Sequence, residues 1–262
     1  MTTTRNAPSA IGSGALIGVL GGLIGLGGAE FRLPLLIGYF RFAALEAVIV
    51  NKATSLIVVL TALPFRAETI PFSAIAERWD AILALLLGSL PGAWLGAGWA
   101  TRLRSAALHK VIAIMLIAIA AILLFGHEAT AFGQMPLPDG YRMSIGVAAG
   151  FGIGVVAALL GVAGGELLIP TLILLFGADV KLAGSLSLVV SLPTMLVGFA
   201  RYSRDQTFSV LGRNRGFVFY MMGGSILGTF IGGYMLGSVP GNVLLPFLAV
   251  LLILSAAKMW RH

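Results

Sequence analysis

The 262-residue sequence contains no cysteine, and this absence excludes a disulfide framework, a thiolate nucleophile and a cysteine metal site. Charge is also scarce, because Asp, Glu, Lys and Arg together make up only 10% of the chain, against about 25% in an ordinary soluble domain. So few charges cannot cover a surface that faces water. Hydrophobic residues make up 58% of the chain and the mean hydropathy is +1.01. The composition therefore predicts an all-α polytopic membrane protein.

Catalytic residue types are scarce as well. The three histidines, His109, His127 and His262, fall at the ends of apolar spans or in loops, and there is no H-E-x-x-H motif. No serine has a partner base at membrane depth. We therefore expect a protein that is not an enzyme and that holds no cofactor and no metal. The net charge of +7 is scattered between apolar spans, a distribution that positive-inside sorting explains better than nucleic-acid binding does.

One segment of the chain occurs twice. Residues 18–34 read GVLGGLIGLGGAEFRLP and residues 154–170 read GVVAALLGVAGGELLIP, at an offset of 136 positions. The shared positions include Gly18/Gly154, Gly25/Gly161, Gly28/Gly164, Glu30/Glu166 and Pro34/Pro170. Residues 1–26 superficially resemble a signal peptide, but the second copy in mid-chain predicts that this segment belongs to the mature fold.

Each copy consists of two short apolar runs around a glycine-rich break. Ile11–Ile24 and Phe31–Phe40 flank the first break, and both are shorter than the ~20 residues that a membrane-crossing helix needs. The pattern predicts a re-entrant helix hairpin over residues 11–40 and a second one over residues 144–176. Pro34 is expected in the first turn of its short helix, where a missing N–H costs nothing.

Full-length spans follow each hairpin. The first repeat (1–125) and the second (143–262), joined by a connector at 126–142, are predicted to carry three spans each: 42–65, 81–100 and 111–125, then 182–200, 217–236 and 242–260. The Gly88-Ser89, Gly92 and Gly96 series recurs as Gly224-Ser225, Gly228 and Gly232 at the same offset. Small residues every four positions favour close helix packing in lipid.

The basic residues indicate the topology. If each hairpin enters and leaves on one side, eleven Lys and Arg residues face one side, four face the other, and Arg32 and Lys52 lie within the membrane. Full crossing by both hairpins would place the basic loops 102–110 and 201–215 on opposite sides and weaken this asymmetry. Three crossings per repeat predict two repeats of inverted topology, with both termini cytoplasmic.

The glycine breaks are the first candidate site. Short helices starting near Ala29 and Gly165 would direct free N–H groups at the bilayer centre, where they can bind a small anion. Tight helix packing through glycine is the alternative reading of the same pattern. The candidate substrate-binding residues are Gly27, Gly28, Ala29, Lys52, Thr54, Ser55, Gly164, Gly165, Ser185 and Ser187.

Four ionisable residues fall within the predicted membrane region. Glu30 and Glu166 are either proton carriers or carboxylates that stabilise the adjacent helix N-termini. Lys52 either attracts an anion or pairs structurally with a carboxylate. Arg32 either enters the site, where it would attract an anion, or reaches the membrane interface. The paired spans also carry neutral hydrogen-bonding residues, which are as well suited to interhelical hydrogen bonds as to ligand contact: Asn51, Thr54, Ser55, Ser185, Ser187 and Ser191.

These motifs resemble the sulfite exporter TauE/SafE family of bacterial membrane transporters. The family's glycine-rich motif, followed by four residues and a proline, fits Gly25–Pro34 with Ala29 in place of one glycine, and Gly161–Pro170 with Ala163 in place of another. Ala53–Leu56 and its partner Ser185–Leu188 resemble the second family motif. The resemblance covers essentially the whole chain.

The resemblance implies a carrier of small sulfur-containing anions, such as sulfite or organosulfonates, that exports them across the bacterial cytoplasmic membrane. The inverted repeats predict alternating access, in which one half rocks against the other. Proton coupling through Glu30 or Glu166 is a hypothesis. The expected partners are a small anionic substrate and the lipid bilayer, with a homodimer as a further hypothesis and no nucleic acid. A non-transporting membrane scaffold or assembly factor, and a carrier of another small anion, are the alternatives.

Overall fold

The structure, a computed structural model, describes residues 6–24, 28–67, 75–131, 138–235, 250, 252–254 and 256–257. Over these ranges the chain is helical, without strands. The main helices are α1 (Ala7–Ile24), α2 (Ala29–Gly38), α3 (Ala44–Ala67), α4 (Trp79–Ala100), α5 (Ser105–Ala131), α6 (Asp139–Leu160), α7 (Gly165–Phe176), α8 (Val180–Tyr202) and α9 (Arg215–Tyr234). A 3-10 helix, Gln206–Ser209, and a one-turn helix, Val210–Arg213, connect α8 to α9.

Five of the described helices, α3, α4, α6, α8 and α9, are long and apolar enough to cross a membrane. Together with the scarcity of charge, they confirm the predicted class, an all-helical multi-pass membrane protein. Helix α3 lies at the centre, because 72% of its apolar stretch Ala44–Thr61 is buried inside the protein. Helices α2 and α7 are the short ones, with 10 and 12 residues, or about 15 and 18 Å at 1.5 Å per residue.

Several boundaries differ from the predicted ones. Helix α6 has 22 residues and starts at Asp139, so it is longer than the predicted hairpin arm and long enough to span a bilayer. The predicted arm began at residue 144 because it was defined by apolar residues alone, and the first turn of α6 is polar. Helix α5 extends to Ala131, so helices occupy much of the predicted connector. Pro34 is the sixth residue of α2 and not in its first turn, because the helix begins directly after the break.

Other predictions fall on parts of the chain outside the description. Most of the predicted last span, 242–260, is outside the described residues, although 250, 252–254 and 256–257 within it are helical. Residues 1–5 are likewise outside them. The proposed division into repeats 1–125 and 143–262 therefore stays a prediction.

The closest helix packing pairs α1 with α9 and α4 with α6. A Cβ added at Gly18 of α1 would lie 2.8 Å from the Thr229 backbone N, and one added at Gly154 of α6 would lie 2.8 Å from Ser89 Cα. Both glycines therefore let two backbones approach more closely than any side chain would permit. The contacts recur at the sequence offset: Gly88, Gly92 and Gly96 pack on Val147, Phe151 and Val155, whereas Gly224, Gly228 and Gly232 pack on Ile11, Ala15 and Val19.

The helix ends sort into two groups. Arg213, before α9, pairs with Glu46 at the start of α3 (Nη2 to Oε1, 2.8 Å), and the Phe217 ring contacts Phe40, just after α2, at 4.7 Å between centroids. We call this end of the bundle the basic end. At the opposite end, Arg78 before α4 donates a hydrogen bond to the carbonyl of Phe176, the last residue of α7 (3.1 Å). Because the 23-residue helix α8 starts four residues after Phe176 and ends at Tyr202, from which two short helices lead to Arg213, α2 and α7 end at opposite ends of the bundle.

Candidate functional site

The two glycine breaks adopt the same backbone conformation. Gly28 and Gly164, the N-caps of α2 and α7, have φ of 67° and 82°. This left-handed region suits glycine, which has no Cβ to clash. An added Cβ at Gly28 would lie 3.0 Å from Ile17 Cγ2, and one at Gly164 would lie 3.2 Å from Ile153 Cγ2. Ile17 and Ile153 are also 136 positions apart, so each break packs in the same way on the helix that precedes it.

The glutamates that follow the breaks come together. Glu30 and Glu166 lie in the first turns of α2 and α7, close enough for their carboxyls to interact with each other. They are 2% and 7% exposed. Two ionised carboxylates are both pure acceptors, so a hydrogen bond between them would require a proton on one of them. The pair therefore forms a buried carboxyl dyad that a shared proton would stabilise.

Two prolines leave backbone carbonyls next to this dyad without their helical hydrogen-bond donors. Pro34 and Pro170 lie four residues after Glu30 and Glu166, inside α2 and α7. Proline has no N–H, so it cannot donate the helical hydrogen bond to the carbonyl four residues earlier. The backbone carbonyls of both glutamates thus lack their usual intrahelical donor. The symmetric prolines leave extra acceptor capacity close to the dyad.

Arg32 lies in the interior and not at the membrane interface. Its side chain is fully buried, and its Nη1 donates hydrogen bonds to Asn51 Oδ1 (3.2 Å) and Ser55 Oγ (3.0 Å) on α3. It also lies close enough to Glu30 for their opposite charges to interact. One fixed guanidinium therefore stands beside the carboxyl dyad, where its charge is strongly felt because little water is near.

Lys52 contacts backbone carbonyls at the end of α6. Its ammonium donates to the carbonyls of Ala157 (3.0 Å) and Val162 (3.3 Å), and the residue is fully buried. Carbonyls in the last turn of a helix lack intrahelical donors and carry partial negative charge. Lys52 therefore caps α6 across the boundary between the two predicted repeats. The sequence predicted that a structural Lys52 would pair with a carboxylate, whereas the side chain binds backbone carbonyls instead. These contacts hold the Lys52 amine near the Gly161–Gly165 break.

Asn51, which the sequence analysis grouped only with neutral hydrogen-bonding residues, makes the most connections. Its Nδ2 donates to the carbonyls of Ala29 and Leu160, both at 3.0 Å, and its Oδ1 accepts from Arg32. A single amide thus links the start of α2, the end of α6 and the buried guanidinium. Its position beside Lys52 in an apolar span was the available signal.

The other predicted residues divide into three groups. Ala29 and Gly165 are buried at the starts of α2 and α7, and Ser55 accepts from Arg32. The hydroxyls of Thr54 and Ser187 donate within their own helices, to the carbonyls of Val50 and Gly184. Ser185 is 4% exposed and its hydroxyl has no hydrogen-bond partner among the described residues. Gly27 lies outside the described residues.

Further buried polar residues join α8 to its neighbours. The hydroxyls of Ser89 on α4 and Thr194 on α8 are 2.7 Å apart, and the Tyr202 hydroxyl donates to the carbonyl of Ala158 (3.0 Å) at the end of α6. The sequence marks neither Thr194 nor Tyr202 as functional, because a single hydroxyl within or at the end of an apolar span forms no distinctive pattern. In the described part of the chain, no three His, Asp or Glu side chains cluster as metal ligands would.

The arrangement suits the binding of a small charged species. Two helix N-termini, a carboxyl dyad, a guanidinium and the Lys52 amine are collected inside the bundle. Burying a charge lowers the stability of the fold unless the charge is paired, so a buried charged residue in a membrane protein often has a functional role. A site of this composition can exchange a proton and accept an anion.

Comparison with known proteins identifies a family and a relative that match most of the chain. The family model described as "Sulfite exporter TauE/SafE" matches residues 10–261. The chain is 26% identical over 203 residues to the "Probable membrane transporter protein YunE" of Bacillus subtilis (strain 168), a match that covers 71% of this chain and 74% of that protein. No solved structure matches the chain at a significant level.

Proposed function

The chain belongs to the sulfite exporter TauE/SafE family, and from this premise we propose that it carries a small sulfur-containing anion, of the sulfite or organosulfonate type, out across the bacterial cytoplasmic membrane. Family membership makes it a membrane transporter; the substrate and the direction are the proposal. The observation that carries it is the meeting of two half-length helices, α2 and α7, at a buried dyad next to a buried arginine.

The proposed architecture is a pair of inverted repeats with both termini cytoplasmic. Three observations support it. The α1–α9 and α4–α6 contacts are related by the offset of 136 residues. Helices α2 and α7 end at opposite ends of the bundle. Arg102 and Arg201, from the two basic loops, line one common groove, as expected if both loops lie on the same side of the membrane.

The anion would bind where the first turns of α2 and α7 face each other. Free N–H groups and the positive ends of two helix dipoles favour negative charge there. When the dyad holds one proton, its remaining charge is balanced by Arg32, and a protonated Lys52 leaves the centre net positive. Ser185, whose buried hydroxyl has no partner within the described ranges, supplies a further donor. The proposed ligands thus offset the charge of the bound anion.

Proton coupling follows from the dyad as a hypothesis. A second negative charge on the dyad would repel an anion bound at the helix N-termini, whereas a protonated dyad would tolerate it. Alternating access would rock one repeat against the other. Such a motion has to rearrange the bonds that Asn51 and Lys52 make to the end of α6, because these bonds join the two repeats.

A ligand screen tests the binding part of the proposal. Purified protein is heated with sulfite, sulfate, thiosulfate, an alkylsulfonate or a carboxylate, and a ligand at 100 times its Kd should stabilise the folded state by about 2.7 kcal/mol. We expect sulfite or a sulfonate to raise the melting temperature and Arg32→Gln to reduce the shift. Glu46→Gln, at the basic end, is the matched control and should keep the full shift.

Transport itself is measured in proteoliposomes loaded with labelled anion. We expect efflux above that of protein-free vesicles for the anion that stabilises the protein. Folded protein that moves none of these anions and gains no stability from them would favour the scaffold alternative. A response restricted to carboxylates would identify a carrier of another small anion.

A further inference from the structure

A groove opens where α4 and α8 end, at the basic end of the bundle. It has a volume of about 420 Å³ and is lined by residues near the ends of α4 and α8 and by Val155 of α6. Trp94, Gly98, Trp99, Arg102, Val155 and Arg201 are among its lining residues. Two arginines and two tryptophans at the end of membrane-spanning helices are typical of the water–lipid interface.

The arginines of the groove are held by aromatic contacts. The guanidiniums of Arg201 and Arg204 lie 5.6 and 4.9 Å from the centre of the Trp94 ring, within cation–π distance. A Cβ at Gly98 would lie 3.1 Å from Arg201 Nε, so this glycine makes room for the Arg201 side chain. Among the described residues, neither Arg102 nor Arg201 forms a salt bridge, which leaves their charges available to an anion.

The groove continues into an apolar ridge along α4. Residues at every fourth position form a ridge that is inclined to the helix axis and winds slowly around it, and here these residues are exposed: Trp79, Leu83, Leu87, Pro91, Leu95 and Trp99. The ridge has a tryptophan at each end, and Leu95 and Trp99 belong to both the ridge and the groove. In a membrane this surface faces acyl chains.

We infer that the groove formed by Trp94, Trp99, Arg102 and Arg201 binds the headgroup of an anionic phospholipid, whose acyl chains lie along the α4 ridge. Basic pockets between membrane helices suit anionic headgroups, and the phosphate would be held by Arg102 and Arg201. The ridge favours a lipid over a free anion, because it extends the basic groove into the hydrocarbon region without a polar break. This inference does not depend on the transport proposal.

The test uses Trp94 as a reporter in the full-length protein. Trp79→Phe, Trp99→Phe and Trp260→Phe leave it as the single tryptophan and keep an aromatic ring at the ridge and groove positions 79 and 99. The protein is reconstituted with phosphatidylglycerol and phosphatidylcholine, one of them brominated on its acyl chains at a time. Quenching of Trp94 fluorescence gives the relative association of the two lipids. We expect phosphatidylglycerol to be preferred, and the preference to fall about fivefold for each arginine replaced in Arg102→Gln and Arg201→Gln.

Arg104→Gln is the matched control, because Arg104 is an exposed arginine of the same loop that does not line the groove; it should keep the preference. Equal quenching by the two lipids, or a preference that survives in the double variant R102Q/R201Q, would overturn the inference. Millimolar inorganic phosphate should leave the preference unchanged. If phosphate abolishes it, the groove is a site for a free anion and the lipid assignment is wrong.

Discussion

The contact between α1 and α9 gives a prediction that one methyl group can test. Gly18 faces α9, where an added Cβ would lie 2.8 Å from the Thr229 nitrogen and 2.9 Å from Gly228 Cα. Both are backbone atoms, so relief requires the helices to separate. Gly12, in the same helix, has nothing within 4 Å of its would-be Cβ. The pair Gly18→Ala and Gly12→Ala therefore differs in packing while sharing the chemical change.

The expected energies follow from this geometry. Overfilling a packed contact costs about 1–3 kcal/mol, whereas replacing an unconstrained helical glycine by alanine gains at most about 1 kcal/mol. We expect Gly18→Ala to lower the free energy of unfolding by about 1–3 kcal/mol and Gly12→Ala to leave it equal or slightly higher. Equilibrium unfolding in mixed detergent–SDS micelles, followed by circular dichroism, measures both.

The same experiment can be repeated independently at the contact between α6 and α4, in the other half of the chain. Gly154 packs on α4, with Ala93 N 2.9 Å from an added Cβ, whereas Gly152 has open space. Gly154→Ala should destabilise as Gly18→Ala does, and Gly152→Ala should not. If alanine at 18 and 154 proves as harmless as at 12 and 152, the close packing of both helix pairs is refuted.

Three further predictions concern polar contacts. Lys52→Ala removes hydrogen bonds made by a charged donor, so the free energy of unfolding should fall by about 1.5–3 kcal/mol. Anion binding should also weaken, and an unchanged affinity in the melting assay would limit this lysine to capping α6. Tyr202→Phe should cost about 0.5–1.5 kcal/mol of unfolding free energy through the lost bond to the α6 end, while Tyr220→Phe, at an exposed site, serves as control; equal effects would argue against that bond. The Glu46–Arg213 pair, whose side chains are 23% and 61% exposed, should show a coupling of about 0.2–1 kcal/mol in a double-mutant cycle that salt reduces, and a larger, salt-independent coupling would contradict its surface position.

Patterns that depend on local composition predicted the structure well. The scarcity of charge identified the membrane class, and the glycine breaks located the starts of α2 at Ala29 and α7 at Gly165. The recurring small residues marked the surfaces on which α1 meets α9 and α4 meets α6. Each of these signals lies within one short segment, so the sequence displays it directly.

Contacts between distant segments were not predictable in the same way. The sequence marked Glu30 and Glu166 as equivalent positions, but only the fold brings their carboxyls into contact. Lys52 binds backbone carbonyls of α6, which every residue carries, so nothing in the sequence could point to them. The polar first turn of α6 was missed because hydropathy alone does not mark where a helix begins.

The central claim, that a small anion crosses at a proton-holding dyad, is tested most directly by sulfite flux in proteoliposomes under an imposed pH gradient. In Glu166→Gln the amide can donate to Glu30 in place of the shared proton, so the fold is expected to persist while the titrating group is lost. We predict that the gradient accelerates flux through the unmodified protein and through Glu46→Gln, but not through Glu166→Gln or Glu30→Gln. Full gradient dependence in both dyad variants, or no sulfite flux through the unmodified protein, would contradict the account.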